Sequence, residues 1–204
     1  MIATESLHIA IGNQREVLEE IHDSNCNLAI WKRKPDANIV AFLQRHAHEE
    51  LHLCQTLRAS EVKAYLRDKM RKFEDEAGKW ALFDDVAQTA NFFAHLTNAN
   101  KLHLHLEIIR TDQCRKFHRD FYPLRLLCTY LGKGTEYLEN DNVNRDGETN
   151  DEIVCDWCKV KRLNAFEVAI LKGEHGENVG KAIFHRSPPI EATNEFRVLL
   201  RIDV

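Results

Sequence analysis

No run of eighteen consecutive apolar residues occurs in the chain, which excludes an ordinary membrane-spanning helix. Residues 1–20 also lack the basic segment followed by a long apolar one that marks a secretory leader, so a cytoplasmic protein is expected. Positive charge is in deficit: 28 Lys and Arg stand against 32 Asp and Glu, a formal net charge of −4. Such a balance leaves no basic footprint and speaks against nucleic acid as a partner. Cysteine, six in 204 residues, is too sparse for a disulfide scaffold, and reduced thiols are expected. No internal repeat or low-complexity segment is visible. What is plentiful is histidine, eleven residues, and the length suits one domain or a domain with an appendage.

The first half reads as helical. Residues 5–22 suit an amphipathic helix, followed by the short apolar run Leu28–Trp31. Pro35 and Asp36 can open a second helix, since proline suits a first turn and aspartate caps free N–H groups. Apolar residues then recur at Ile39, Val40, Leu43, Ala47, Leu51, Cys54 and Leu57, close to helical period. Ser60 can cap a third helix over 61–75. Asp84 or Asp85 can cap a fourth, with Val86, Ala90, Phe93 and Leu96 as its buried stripe. At Lys101 the pattern changes: residues 102–108 alternate strictly, as a half-buried strand does. Further strands are expected at 124–131, 135–138, 153–160, 165–171, 181–185 and 196–203. Helices followed by many short strands indicate an α+β protein whose second half is a sandwich or barrel.

Two literal metal motifs fail on inspection. His48-Glu49-Glu50-Leu51-His52 is an HExxH, but counting about 100° per residue from Leu43 puts His48 near 140° and His52 near 180°, away from the apolar stripe. A solvated helix face is the better account, with Glu50 and His46 as a partly buried pair. Cys155-Asp156-Trp157-Cys158 is a CxxC without the second half that a zinc ribbon needs. The Asn/Asp-rich stretch 142–147 has Ile153 where a calcium loop requires glutamate and reads as a polar loop. His103 and His105 share one strand face without an evident partner.

The third constellation is coherent. His118-Arg119-Asp120 is an H-x-D directly before an apolar strand, and at period two both side chains project to one side. Sixty-five residues beyond Asp120 comes His185, at the end of another strand candidate. Two histidines and one carboxylate on one face of a metal leave positions open for co-substrate and oxygen, the facial triad of non-haem Fe(II) oxygenases. Arg197 and Arg201 follow His185 by twelve and sixteen residues. A guanidinium fork there suits the distal carboxylate of 2-oxoglutarate. The bland reading of the same residues is a buried His118–Asp120 pair and two surface arginines in ion pairs.

Several segments resemble a bacterial family, domain-of-unknown-function family 1826: Cys114–Phe117 with the H-x-D, Leu124–Tyr130, Gly132, Gly134-Thr135-Glu136, Leu171-Lys172-Gly173, His185–Pro189 and the final R-x-L-L-x-I-D. Asn27–Arg33 also fits, and Tyr137 stands where members often have tryptophan. The resemblance implies a link to metal homeostasis and no particular reaction. The order H-x-D, aliphatic strand, Gly-Thr-Glu, Lys-Gly, His, Arg separately resembles 2-oxoglutarate/Fe(II) dioxygenases of the prolyl-hydroxylase kind. That resemblance implies helices over 1–100 packed on a double-stranded β-helix, a jelly-roll or cupin-like barrel, over 101–204, as one compact unit. Its implied site has Fe(II) on His118, Asp120 and His185 and 2-oxoglutarate on Arg197. Arg201 would be an alternative anchor or a substrate contact, and Arg125, Tyr130, Arg186 and Ser187 second-choice pocket residues. The contrasting expectations are a non-catalytic metal-binding or metal-homeostasis protein on the same three ligands, with zinc instead of iron, and an interaction domain without metal. Primary substrate and oligomeric state are not written in the sequence.

Overall fold

A computed structural model describes residues 7–74 and 76–204. In chain order the strands are β1 (His8–Gly12), β2 (Cys26–Trp31), β3 (His52–Leu57), β4 (Leu102–Ile109), β5 (Leu124–Leu131), β6 (Glu136–Tyr137), β7 (Lys161–Arg162), β8 (Val168–Lys172), β9 (His185–Arg186) and β10 (Arg197–Asp203). The main helices are α1 (Ala37–Arg45), α2 (Val62–Lys69) and α3 (Ala77–Thr97). Seven strands form one sheet in the order β1-β2-β8-β5-β10-β4-β3, and three form a second, β7-β6-β9. All pairings are antiparallel except β1 with β2.

Strand alternation sorts the large sheet into two faces. On β5, Leu126, Cys128 and Tyr130 join α1 and α3 residues such as Phe42, Phe83 and Phe93 in one apolar cluster. Leu127 points the other way and packs with Leu28, Leu171, Leu199, Tyr137 and Ile183, filling the space between the sheets. Helices thus cover one face of the seven-stranded sheet and the small sheet covers the other. This is a mixed α+β architecture dominated by antiparallel pairing, and the described residues form no closed barrel.

Several expectations from the sequence give way to long-range pairing. The expected helix over 5–22 is β1 followed by a 3₁₀ segment, Arg15–His22, that buries Leu18 and Ile21; its residues 5 and 6 lie outside the described part. The first hundred residues are therefore not a purely helical layer, since they supply β1, β2 and β3. α1 starts where expected: the Asp36 carboxylate accepts from the Asn38 and Ile39 amides at 2.8 and 3.2 Å. It ends at Arg45 instead of reaching Leu57, because His52–Leu57 extends and pairs with β4, satisfying backbone groups that β4 would otherwise leave free.

α2 replaces the longer helix expected over 61–75, whose residue 75 also lies outside the described part. α3 begins seven residues before Asp84, at Ala77. Gly78 lets it approach α1, since a Cβ there would lie 2.2 Å from the Asn38 carbonyl oxygen. Instead of a strand over 153–160 there is one helical turn at Asn150–Ile153, capped by Thr149, and a 3₁₀ turn at Trp157–Lys159. β5 matches its expected bounds, while β6 and β9 are only two residues each. No helix among the described residues is long and apolar enough to cross a membrane.

Candidate metal centre

The H-x-D lies in the connection from β4 to β5, and a single antiparallel bridge fixes it. His118 N–H donates to the His185 carbonyl and His185 N–H to that of His118, both at 3.0 Å. The bridge stacks the two imidazoles with centroids 4.6 Å apart. Asp120 stands two residues further on, with Oδ1 3.9 Å from His118 Nε2 and Oδ2 3.2 Å from His185 Nε2. The three potential ligand atoms all lie within 4.8 Å of one another. Bonds of about 2 Å to a shared ion require little more than a small inward shift.

Outer contacts orient the ligands. His118 Nδ1 is 2.9 Å from the Lys116 carbonyl and His185 Nδ1 is 3.4 Å from that of Ile183, so each Nδ1 turns to backbone and each Nε2 to Asp120. Arg125 donates to Asp120 Oδ1 at 2.5 Å and is itself held by Asp203 at 2.5 and 3.1 Å. Asp120 Oδ2 is buried with no hydrogen-bond partner among the described residues. An unsatisfied carboxylate oxygen 3.2 Å from one imidazole nitrogen, on a carboxylate whose other oxygen is 3.9 Å from a second, fits a cation.

Protonation is prepared as well. Burial lowers the His118 pKa, assisted by neighbouring His185, which keeps the ring neutral. Burial alone would raise Asp120, but His185, Arg125 and His118 outweigh it and hold the carboxyl at about 2. Neutral imidazoles and an ionised carboxylate are the forms that bind metal.

Arg197 lies on the same face of the large sheet, at the start of β10. It is 0% exposed, and its Nη2 donates to Thr129 Oγ1 and Thr135 Oγ1, both at 3.0 Å. Nε and Nη1 have no partner among the described residues. Burial lowers its pKa to about 10, with no carboxylate nearby to offset the effect. Beside His118 and His185 runs a narrow cleft with room of about 50 Å³, whose walls also include Leu127, Leu199, Arg201 and Thr135, the last of which accepts from Arg197.

Other candidate residues fall into different places. Arg201 reaches the cleft with Nε 3.5 Å from Asp203 Oδ2, and Ser187 and Arg186 stand at its margin. Arg186 is committed to Glu136 at 2.8 Å and stacks over Phe117 at 4.5 Å. Arg125 is already engaged by two carboxylates and positions Asp120. Tyr130 is not a pocket residue: at period two it projects to the helical side, where its hydroxyl donates to Asp85 at 2.6 Å.

The HExxH is not helical at all. His48 sits exposed in a turn and His52 on β3 contacts Glu107 at 2.9 Å. His46 pairs with Glu76 at 3.3 Å instead of the expected Glu50. Cys155 and Cys158 are exposed and free, and Asn142 and Asn144 serve backbone carbonyls of the polar loop. Sequence reasoning missed Thr129, Thr135 and Asp203 as supports of the arginines. It also missed Cys54, which stands with His103 and His105 in a second cluster of ligand-type side chains.

Comparison with solved structures bears on the fold. The crystal structure of a "putative oxygenase" from Shewanella oneidensis superposes with a TM-score of 0.50 at 10% identity, covering 97% of this chain and 89% of that one. A Pseudomonas putida prolyl-4-hydroxylase gives 0.44 at 10% identity over 92% and 95%. The Fe(II)/α-ketoglutarate-dependent dioxygenase TqaL gives 0.41 at 13% identity over 83% and 74%. At 10% identity the first of these likenesses is one of fold alone. No curated protein matches in sequence. The model of the family described as protein of unknown function DUF1826 matches residues 12–203, and the chain belongs to that family.

Proposed function

We propose that the protein is a non-haem Fe(II), 2-oxoglutarate-dependent oxygenase, with the two facing sheets as a double-stranded β-helix of jelly-roll type. His118, Asp120 and His185 are the ligands for iron, and Arg197 is the anchor for the distal carboxylate of 2-oxoglutarate. The observation that carries this reading is the Arg197 guanidinium, wholly buried with two of its three nitrogens unsatisfied. A buried cation without a counter-charge is costly, and an anionic ligand relieves the cost. A protein that only holds a metal has no use for it.

Bound in such a site, iron supplies the chemistry in which 2-oxoglutarate, O₂ and a C–H bond become succinate, CO₂ and a hydroxylated product. The chain's own contribution is placement. Asp120 is held ionised and His118 neutral, the forms that bind metal, and His185 turns its Nε2 toward Asp120. Arg125 stops Asp120 from rotating away. Thr129 and Thr135 hold the Arg197 fork, and Leu127 and Leu199 give the cleft beside the histidines an apolar wall. Because 2-oxoglutarate must enter a cleft of about 50 Å³, some wall side chains have to move. That tightness favours a second reading, a non-catalytic metal-binding protein that uses the same ligands, with zinc in place of iron.

Anaerobic calorimetry with Mn(II) or Fe(II) separates the two. The parent protein should bind 2-oxoglutarate only when metal is present. Arg197→Met should bind metal unchanged and lose 2-oxoglutarate by at least about tenfold, as expected for a charge-assisted contact. Asp120→Ala should lose both. Unaltered 2-oxoglutarate affinity in Arg197→Met, or none in the parent, would sink the oxygenase reading, and O₂-dependent succinate formation would support it.

A further inference from the structure

On the same face of the large sheet, at its far edge, Cys54, His103 and His105 converge. Cys54 on β3 lies directly opposite His105 on β4, and Thr56 lies opposite His103. Side chains two apart on one strand share a face, and directly opposed ones start about 5 Å apart, so this register brings thiol and imidazoles together. Cys54 Sγ is 3.6 Å from His105 Nε2 and 3.8 Å from His103 Nε2. The two rings meet edge-on with centroids 4.6 Å apart. All three potential ligand atoms fall within 4.8 Å of one another.

The outward nitrogen of His103 is held by a hydrogen bond, and that of His105 faces a carboxylate just beyond hydrogen-bond distance. His103 Nδ1 lies 2.9 Å from Thr56 Oγ1. His105 Nδ1 lies 3.6 Å from Glu107 Oε1, and Glu107 is the carboxylate that also contacts His52. A carboxylate behind an imidazole, with the opposite nitrogen turned to a third donor, is the arrangement that orients histidines on metals. His105 Nδ1 is buried and makes no hydrogen bond among the described residues, so a small shift of the ring toward a bound ion is not opposed by an existing bond.

We propose that Cys54, His103 and His105 form a second metal site, chemically distinct from the triad and selective for zinc. A thiolate with two imidazoles is a borderline-soft donor set, whereas the triad's carboxylate and imidazoles suit iron. Zinc has no geometric preference of its own and accepts three protein ligands plus water. The exposed side of Cys54 and the half-buried His103 leave the fourth position toward solvent. An ion there clamps edge strand β3 to β4. This site stands independently of the oxygenase reading.

The test is a Co(II) titration of the full-length, metal-free protein under reducing conditions, followed by Zn(II). Thiolate-bound cobalt absorbs through sulfur-to-metal charge transfer, which a His/Asp/His site cannot produce. The expected result is one equivalent of that absorption, bleached by zinc, together with a higher Tm on zinc binding. Cys54→Ser should abolish the absorption, and His103→Gln should weaken the site at least about tenfold. His118→Ala should retain it, which separates this site from the triad. The Cys155→Ser/Cys158→Ser double variant should also retain it. Absence of the band in the parent, its survival in Cys54→Ser, its loss in the double variant, or failure of zinc to bleach it would each overturn the proposal.

Discussion

Two arginines on one face of the large sheet have opposite surroundings. Arg125 is clasped by Asp120 and Asp203, and among the effects on its pKa those carboxylates overcome burial and raise it. Arg197 is buried more completely, its guanidinium donates to two hydroxyls among the described residues, and burial lowers its pKa. The first is a finished interaction and the second an unfinished one. The difference separates architecture from function: a protein neutralises the charges that hold it together and leaves open those that await a ligand.

The sharpest way to break this comparison is to remove each arginine from the metal-free protein. Arg125→Met leaves two buried carboxylates without their cation and should cost about 3–5 kcal/mol of stability by urea denaturation. Arg197→Met should cost nothing, since it replaces an uncompensated buried charge. A larger loss in Arg197→Met than in Arg125→Met would reverse the assignment of roles.

The carboxylate side of the comparison gives an acid-dependent effect of intermediate size. Asp120 has a folded pKa of about 2 against an ordinary value of 3.8. A carboxyl depressed on folding stabilises the protein above the ordinary value, and that contribution is lost as pH falls from about 4 to about 2. The amount is on the order of 2 kcal/mol, and the slope of stability against pH in this window should flatten in Asp120→Asn. An unchanged slope would mean that Arg125 and the histidines do not hold the carboxylate as described.

The smallest effect concerns the opposite face. Tyr130→Phe removes one hydrogen bond to Asp85, which Arg33 still holds at 2.6 Å. The loss should be about 1.5 kcal/mol. Calorimetric 2-oxoglutarate affinity in the presence of metal should not change. A change there would put Tyr130 back at the cleft.

These contrasts also show what the sequence made legible. The H-x-D and Arg197 could be read because they sit shortly before β5 and at the start of β10, apolar strands whose period of two assigns faces without reference to anything distant, and His185 because it follows the apolar run 182–184. Tyr130 was open to the same reading, as its position is out of step with Arg125 and Leu127. β3 was not legible, because Leu51, Cys54 and Leu57 fit helical spacing and only pairing with β4, some fifty residues away, makes them extended. Cys54 was hidden with it. Asp84 and Asp85 imitate helix caps, yet both lie inside α3, and Asp85 serves as the half-buried acceptor for Arg33 and Tyr130. Local pattern fails where a polar residue's partner is remote in sequence.

β10 carries a last consequence. It is laddered on one edge to β4 over its whole length and on the other to β5 from Val198 to Asp203. Shifting it would break hydrogen bonds on both sides at once, so the spacing of Arg197, Arg201 and Asp203 cannot adapt. The segment bearing His118 has no such ladder: it is held by one bridge to His185 and by scattered bonds, from Ser187 N–H to the Cys114 carbonyl, from Phe117 N–H to Asn150 and from Glu174 N–H to the Asp120 carbonyl. The cleft thus has a stiff wall and a yielding wall: a guest is measured against the first and admitted by the second.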